Sequence, residues 1–111
     1  MSLKKMGKNI FLKSPFGDKK MKFEWDEEKN KINIEKHHID FNEAKTVFND
    51  VFAIVEYDEE HSESEERFHI IGLSDKANLL LVCHCYRDKD TIHIISAWKA
   101  TSEDTKKYLG G

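Results

Sequence analysis

The chain is 111 residues long, 39% hydrophobic and 35% charged, with one proline and five glycines. That is enough apolar material for one modest core and too short for two domains of typical size, and it excludes collagen-like and wholly disordered chains. The formal net charge of −3 is unevenly spread: residues 1–20 hold six lysines against Asp18, so the other 91 residues carry −8.

Residues 1–20 contain the turn signals Ser14-Pro15 and Phe16-Gly17 and read as a basic, flexible leader: an arm, translation from an upstream start codon, or sequence added in cloning. The domain is expected over 21–111. Its apolar runs are short. The longest, Leu79 to Cys83, stops at His84, well below the roughly 18 to 20 residues that span a bilayer, so no membrane association is expected. Cys83 and Cys85 are one residue apart, which suits neither a disulfide framework nor the usual zinc hook, and no signal-peptide core follows the first lysines. The expected location is the cytoplasm.

Phe23 and Trp25 alternate with Lys22 and Glu24, which predicts a first strand. Asp26 caps a helix running to about His37, with Glu27 and Glu28 in its first turn. Asp40 and Glu43 have capping-box spacing, and Phe41, Ala44, Val47 and Phe48 fall on one face of a second helix. Four β-rich runs follow: Val51 to Tyr57, Arg67 to Leu73, Leu79 to Tyr86 and Thr91 to Trp98. Hydrophilic connectors make them an antiparallel meander, with Leu79 to Tyr86 as a central strand covered on both faces. The connector holding Glu56, Asp58, Glu59, Glu60, Glu63, Glu65 and Glu66 reads as a solvated loop. Thr101 with Asp104 starts a short last helix. The order β-α-α-β-β-β-β-α is a segregated α+β fold with a mostly antiparallel sheet.

Several residues are candidates for chemistry. Strand alternation sends the Cys83 and Cys85 sulfurs one way and the His84 ring the other, so the trio does not read as a metal site; no metal or other cofactor is expected. His37, with His38 after Lys36 at a helix end, is either a proton-transfer group or a cap. His61 reads as loop surface, and His69 and His93 as outward strand positions, with a catalytic role as the lesser alternative for each. Arg67 opens a strand and is suited to a phosphate, or else pairs with a neighbouring glutamate. Arg87 reads as solvent-facing. Ser96, Trp98, Lys99 and Tyr108 combine hydroxyl, aromatic plane and cation, which fits an unstacked base and its phosphate as well as a plain amphipathic edge.

The chain resembles the BrnT family of bacterial toxins from Lys22 to Tyr108. The resemblance rests on Phe23-Glu24-Trp25-Asp26 with Lys29 and Asn33, Lys36-His37, Phe41-x-Glu43-Ala44, and Val47-Phe48-x-Asp50. It continues in Glu65-Glu66-Arg67-Phe68, Ile71-Gly72-x-Ser74, Ile92-x-Ile94-Ile95-Ser96-Ala97, Lys99-Ala100-Thr101 and Tyr108. It implies a RelE-like fold, an RNA-cleaving toxin of a type II toxin-antitoxin system, and a BrnA-like ribbon-helix-helix antitoxin through which alone DNA is reached. Where the family commonly has an arginine in the last strand, Trp98 stands here. The implied chemistry is metal-independent: the ribose 2′-hydroxyl attacks phosphorus while Arg67 and Lys99 stabilise the phosphate. His37, with Lys36 nearby, moves the proton, and Ser96, Trp98 and Tyr108 bind RNA. The alternatives are a catalytically weak or inactive toxin-fold module acting in antitoxin binding and operon autoregulation, and a small-ligand-binding α+β domain.

Overall fold

A computed structural model describes residues 20–110. The reading of residues 1–20 as a leader therefore lies, but for Lys20, outside the described residues. Within them the order is β1 (Lys22–Glu24), α1 (Glu27–His37), α2 (Phe41–Ala44), β2 (Ile54–Tyr57), β3 (Phe68–Leu73), β4 (Leu79–Tyr86), β5 (Thr91–Lys99) and α3 (Ser102–Tyr108), with 3-10 turns at Lys45–Asn49 and Glu59–His61. The five strands form one sheet in the order β1-β5-β4-β3-β2. The meander is antiparallel as expected, while β1 adds to its edge parallel to β5. The result is α+β, with a mixed sheet. No helix among the described residues is long and apolar enough to cross a membrane.

One face of the sheet carries the main core. Ile70, Leu80, Val82, Ile92, Ile94 and Ala97 meet Ile39, Phe41, Ala44, Val47 and Phe48 from the α1–α2 region, all buried. Phe23 and Trp25 close the edge, Trp25 lying edge-on to Phe41 at 5.9 Å between centroids. His84 points into the same side, fully buried, 4.9 Å from the Phe48 ring. Cys83 and Cys85 lie on the opposite face, also buried, so β4 is covered on both sides.

The second helix departs from the expected form. It makes one α turn and then tightens into the 3-10 turn. Asp40 caps it through the Asn42 N–H at 2.9 Å. Glu43, however, does not reach back to complete a capping box. Its Oε2 accepts from Ser74 Oγ at 2.6 Å and Asn78 Nδ2 at 2.8 Å, fastening the helix to the β3–β4 turn. The Thr101–Asp104 box at the start of α3 is complete in both directions.

α1 is nearly polar all round and owes its place to asparagines rather than to an apolar stripe. β1 pairs with β5 only as far as His93, leaving the β5 edge open beyond it. There Asn33 acts as a substitute strand: its Nδ2 donates to the Ala97 carbonyl at 2.8 Å and its Oδ1 accepts from the Ala97 N–H at 3.0 Å. Asn30 accepts from the Phe41 N–H at 2.9 Å and holds the turn between the helices. Buried backbone groups left unpaired would each cost about 1–3 kcal/mol, which makes these amides structural.

Candidate functional site

The face of the sheet opposite the main core carries the polar residues, and register decides which. His69 of β3 pairs with Cys83 of β4, which pairs with Ser96 of β5; Leu81 pairs with Trp98. Between Cys83 and His84 the register to β5 shifts, because Ser96 and then Ile94 are the successive partners and Ile95 is the extra residue. This β-bulge reverses which residues of β5 face the core. Ile92 and Ile94 face it before the bulge and Ala97 after it. Ser96 and Trp98 are thereby turned to the polar face.

A pocket of about 240 Å³ forms there, lined by Asp58, His61, Arg67, His69, Cys83, Ser96 and Trp98. Arg67 is fixed at its backbone: its N–H donates to Ser62 Oγ at 2.9 Å and its carbonyl accepts from the Asp58 N–H at 2.8 Å. Its guanidinium is only loosely paired, Nη2 standing 3.9 Å from Glu65. Its Nε is buried and has no hydrogen-bond partner. A buried charged donor without an acceptor is costly, and an anion entering the pocket would satisfy it.

The acidic connector is not solvated throughout. Glu59, Glu60 and Glu63 are exposed, but Asp58 turns inward and is 7% exposed. His61 Nδ1 hydrogen-bonds its Oδ2 at 3.0 Å, and His69 Nε2 lies 3.1 Å from the same oxygen. Burial alone would push the Asp58 carboxyl up; the His61 hydrogen bond and the charges of His69 and His61 outweigh it and hold the carboxyl below its ordinary range. Burial, with Asp58 nearby, pushes the Cys83 thiol up to about 11, so it is a neutral thiol at physiological pH. Asp58, His69 and Cys83 place their donor atoms within 4.8 Å of one another, close enough to consider a zinc-type ion. The neighbouring Arg67 guanidinium opposes a cation there.

Trp98 is the shared wall of this pocket and a second, about 580 Å³, lined also by Lys36, His37, His38 and Lys99. The His37 ring lies 5.7 Å from that of Trp98. His38 ends α1 in a left-handed conformation (φ 61°) and donates its N–H to the Ile34 carbonyl. A further hollow continues along the α1–β5 seam past Lys29 and Asn33. None of the residues lining these two seam pockets is acidic, so a chain of net negative charge keeps a locally basic track.

Arg67, Ser96 and Trp98 are thus gathered in one pocket, and Lys36, His37 and Lys99 meet Trp98 in the adjoining one. Arg67 and Lys99 share no pocket, Trp98 standing between them. Tyr108 lines neither: its hydroxyl donates to Asp50 Oδ2 at 2.6 Å, and burial together with that carboxylate raises its phenol above the ordinary value. Arg87 is exposed, as expected, and bridges Glu24 and Glu65 at 3.5 and 3.3 Å. Asp58, His61, His69 and Cys83 were not singled out by sequence as members of one site. The only signal was the period-two spacing of Arg67 and His69, which puts them on one face of the strand expected from Arg67 to Leu73.

A search of curated proteins returns no match. Among solved structures, the chain is similar to the 1.1 Å crystal structure of the Brucella abortus ribonuclease toxin BrnT, with 25% identity and a TM-score of 0.58, covering 74% of this chain and 99% of that one. Residues 25–104 match the family described as the ribonuclease toxin BrnT of type II toxin-antitoxin systems. That match takes in α1, the whole meander and every residue of both pockets, and on it the chain belongs to the BrnT toxin family, with a RelE-like fold.

Proposed function

We infer that this chain is the toxin of a type II toxin-antitoxin pair and arrests growth by cutting RNA without a metal ion. The observation that carries the reading is the buried, unpartnered Nε of Arg67 in a pocket walled by an aromatic ring. A guanidinium so placed suits the phosphate of a single-stranded RNA, and the exposed part of Trp98 suits an unstacked base. Lys36, His37 and Lys99 then serve the neighbouring backbone phosphates along the basic seam, and Ser96 adds a hydroxyl at the pocket floor. Tyr108 anchors α3 through Asp50 and supports the site from outside it.

Cleavage needs no external nucleophile. The ribose 2′-hydroxyl attacks the adjacent phosphorus, and the protein has to take one proton and stabilise the added negative charge. The partner that silences the toxin is a ribbon-helix-helix protein of the BrnA kind, presenting acidic groups to the basic seam; contact with operator DNA is made through that partner alone. A second reading, a toxin fold that binds its antitoxin but cuts weakly, is favoured by Trp98 standing where the family commonly has an arginine.

Inducible expression tests the main reading. Growth should stop when the chain is expressed alone and resume when the adjacent gene for a ribbon-helix-helix protein is co-expressed. Unimpaired growth with abundant soluble protein would favour the second reading instead.

A further inference from the structure

Two imidazoles share the single buried carboxylate of the Arg67 pocket. His61 approaches Asp58 from the rim with its side chain 59% exposed, and His69 from the sheet with its side chain 26% exposed. A carboxylate against one ring nitrogen favours the proton there and leaves the other nitrogen as an acceptor. For His69 the tethered atom is Nε2 and the free acceptor is Nδ1. The ring stands edge-to-face against Trp98, 6.3 Å between centroids, and Arg67, just before the start of β3, lines the same pocket. A base, a carboxylate that orients it, a cation for phosphate and an aromatic wall thus occupy one small pocket.

We propose that His69 is the general base of RNA cleavage and that Asp58 is its positioning residue. This rests on the reading of the chain as an RNA-cleaving toxin and adds which group takes the proton. Nδ1 accepts the proton of the 2′-hydroxyl as that oxygen bonds to phosphorus. The bond from phosphorus to the 5′-oxygen breaks, leaving a 2′,3′-cyclic phosphate, and the departing 5′-oxygen takes a proton from water. Asp58 stabilises the imidazolium, which then returns its proton to solvent. The other charged or titratable groups facing His69 are His61, Arg67, the Cys83 thiol opposite it on β4, and Glu56 opposite it on β2. Glu56 is engaged by Lys107 of α3 at 3.2 Å.

The test is the pH dependence of kcat/KM for a labelled single-stranded RNA, measured in EDTA, for the wild type, His69→Gln and Asp58→Asn, with thermal midpoints to confirm folding. The wild type should lose activity on the acidic side. His69→Gln should fall by about 100-fold or more and lose that acidic limb. Asp58→Asn should keep part of the activity and move the limb to lower pH, because the imidazolium loses its counter-charge; a merely structural role would leave the limb in place. Should Asp58→Asn not fold, His69→Ala with added imidazole replaces it, and partial rescue is expected. A folded His69→Gln within about threefold of wild type, with the same pH profile, overturns the proposal while leaving RNA cleavage standing. So does activity that EDTA abolishes and zinc restores, which would make Asp58, His69 and Cys83 metal ligands. A wild type that cuts no RNA overturns both this and the function it rests on.

Discussion

At the scale of single residues, the pocket is defined by groups whose needs the fold leaves unmet. Arg67 has its backbone tied on both sides and its Nε left without an acceptor. Trp98 stands between the His37 and His69 rings and divides two cavities that differ in charge. If Trp98 holds a base, Trp98→Ala should weaken RNA binding by about 1–3 kcal/mol, seen as a rise in KM larger than any fall in kcat. An unchanged KM would remove the ring from the binding surface. Arg67, Ser96 and Trp98 were legible in the sequence because scarce or chemically distinctive residue types stand out there. Asp58 was not. It is one acid in a run of seven, and nothing in composition tells which of them the chain folds inward. His61 and His69 share that difficulty, since their significance comes from Asp58 and not from their own neighbours in sequence.

At the scale of elements, the site depends on the β5 bulge, which turns Ser96 and Trp98 to the polar face. The hydrophobic pattern foretold the four runs of the meander, and Asp26 and Thr101 marked two helix starts. The bulge at Ile95 was hidden, because Ile94-Ile95 supplies an apolar residue to either parity, and only the core position of Ala97 reveals the switch. Glu43 showed the spacing of a cap, yet Ser74 and Asn78 offered it buried donors that the helix terminus did not. Gly72 marks where β3 passes closest to the 3-10 turn. A Cβ there would stand 2.8 Å from Val47 Cγ1 and 3.0 Å from Ala53 Cβ. Gly72→Ala should therefore cost about 1–3 kcal/mol in denaturant unfolding. Thr101→Ala, which breaks the complete capping box of α3, should cost about 1 kcal/mol. A neutral result for either would mean that the element moves to accommodate the change.

At the scale of the whole molecule, stability and function draw on opposite faces of the sheet. The main-core face encloses His84, whose Nδ1 lies 3.1 Å from the Val82 carbonyl and whose ring is packed by Phe48, Phe68 and Tyr86. Burial, only partly offset by that carbonyl, lowers its pKa from 6.5 to about 4. The unfolded chain therefore binds this proton more readily than the folded one. The stability His84 preserves is complete above pH 6.5 and is lost as pH falls from there towards 4, to a total of order 3 kcal/mol. Comparing urea unfolding of the wild type and His84→Leu across that range isolates the effect; parallel pH slopes would show that His84 is protonated without penalty.

The polar face must do the reverse and accept charge. Seven acids of the 56–66 stretch dominate the net charge, yet the seam of Lys29, Lys36 and Lys99 contains no acidic lining. Local arrangement, not the total, sets the potential that an RNA strand meets. The most direct test is incubation of purified wild type and Arg67→Ala with labelled single-stranded RNA in EDTA, both shown to be folded. Cleavage by the wild type, lost or reduced at least about 100-fold in Arg67→Ala, is the expected result. Equal cleavage by the two proteins, or none by the wild type, would contradict the phosphate site at Arg67.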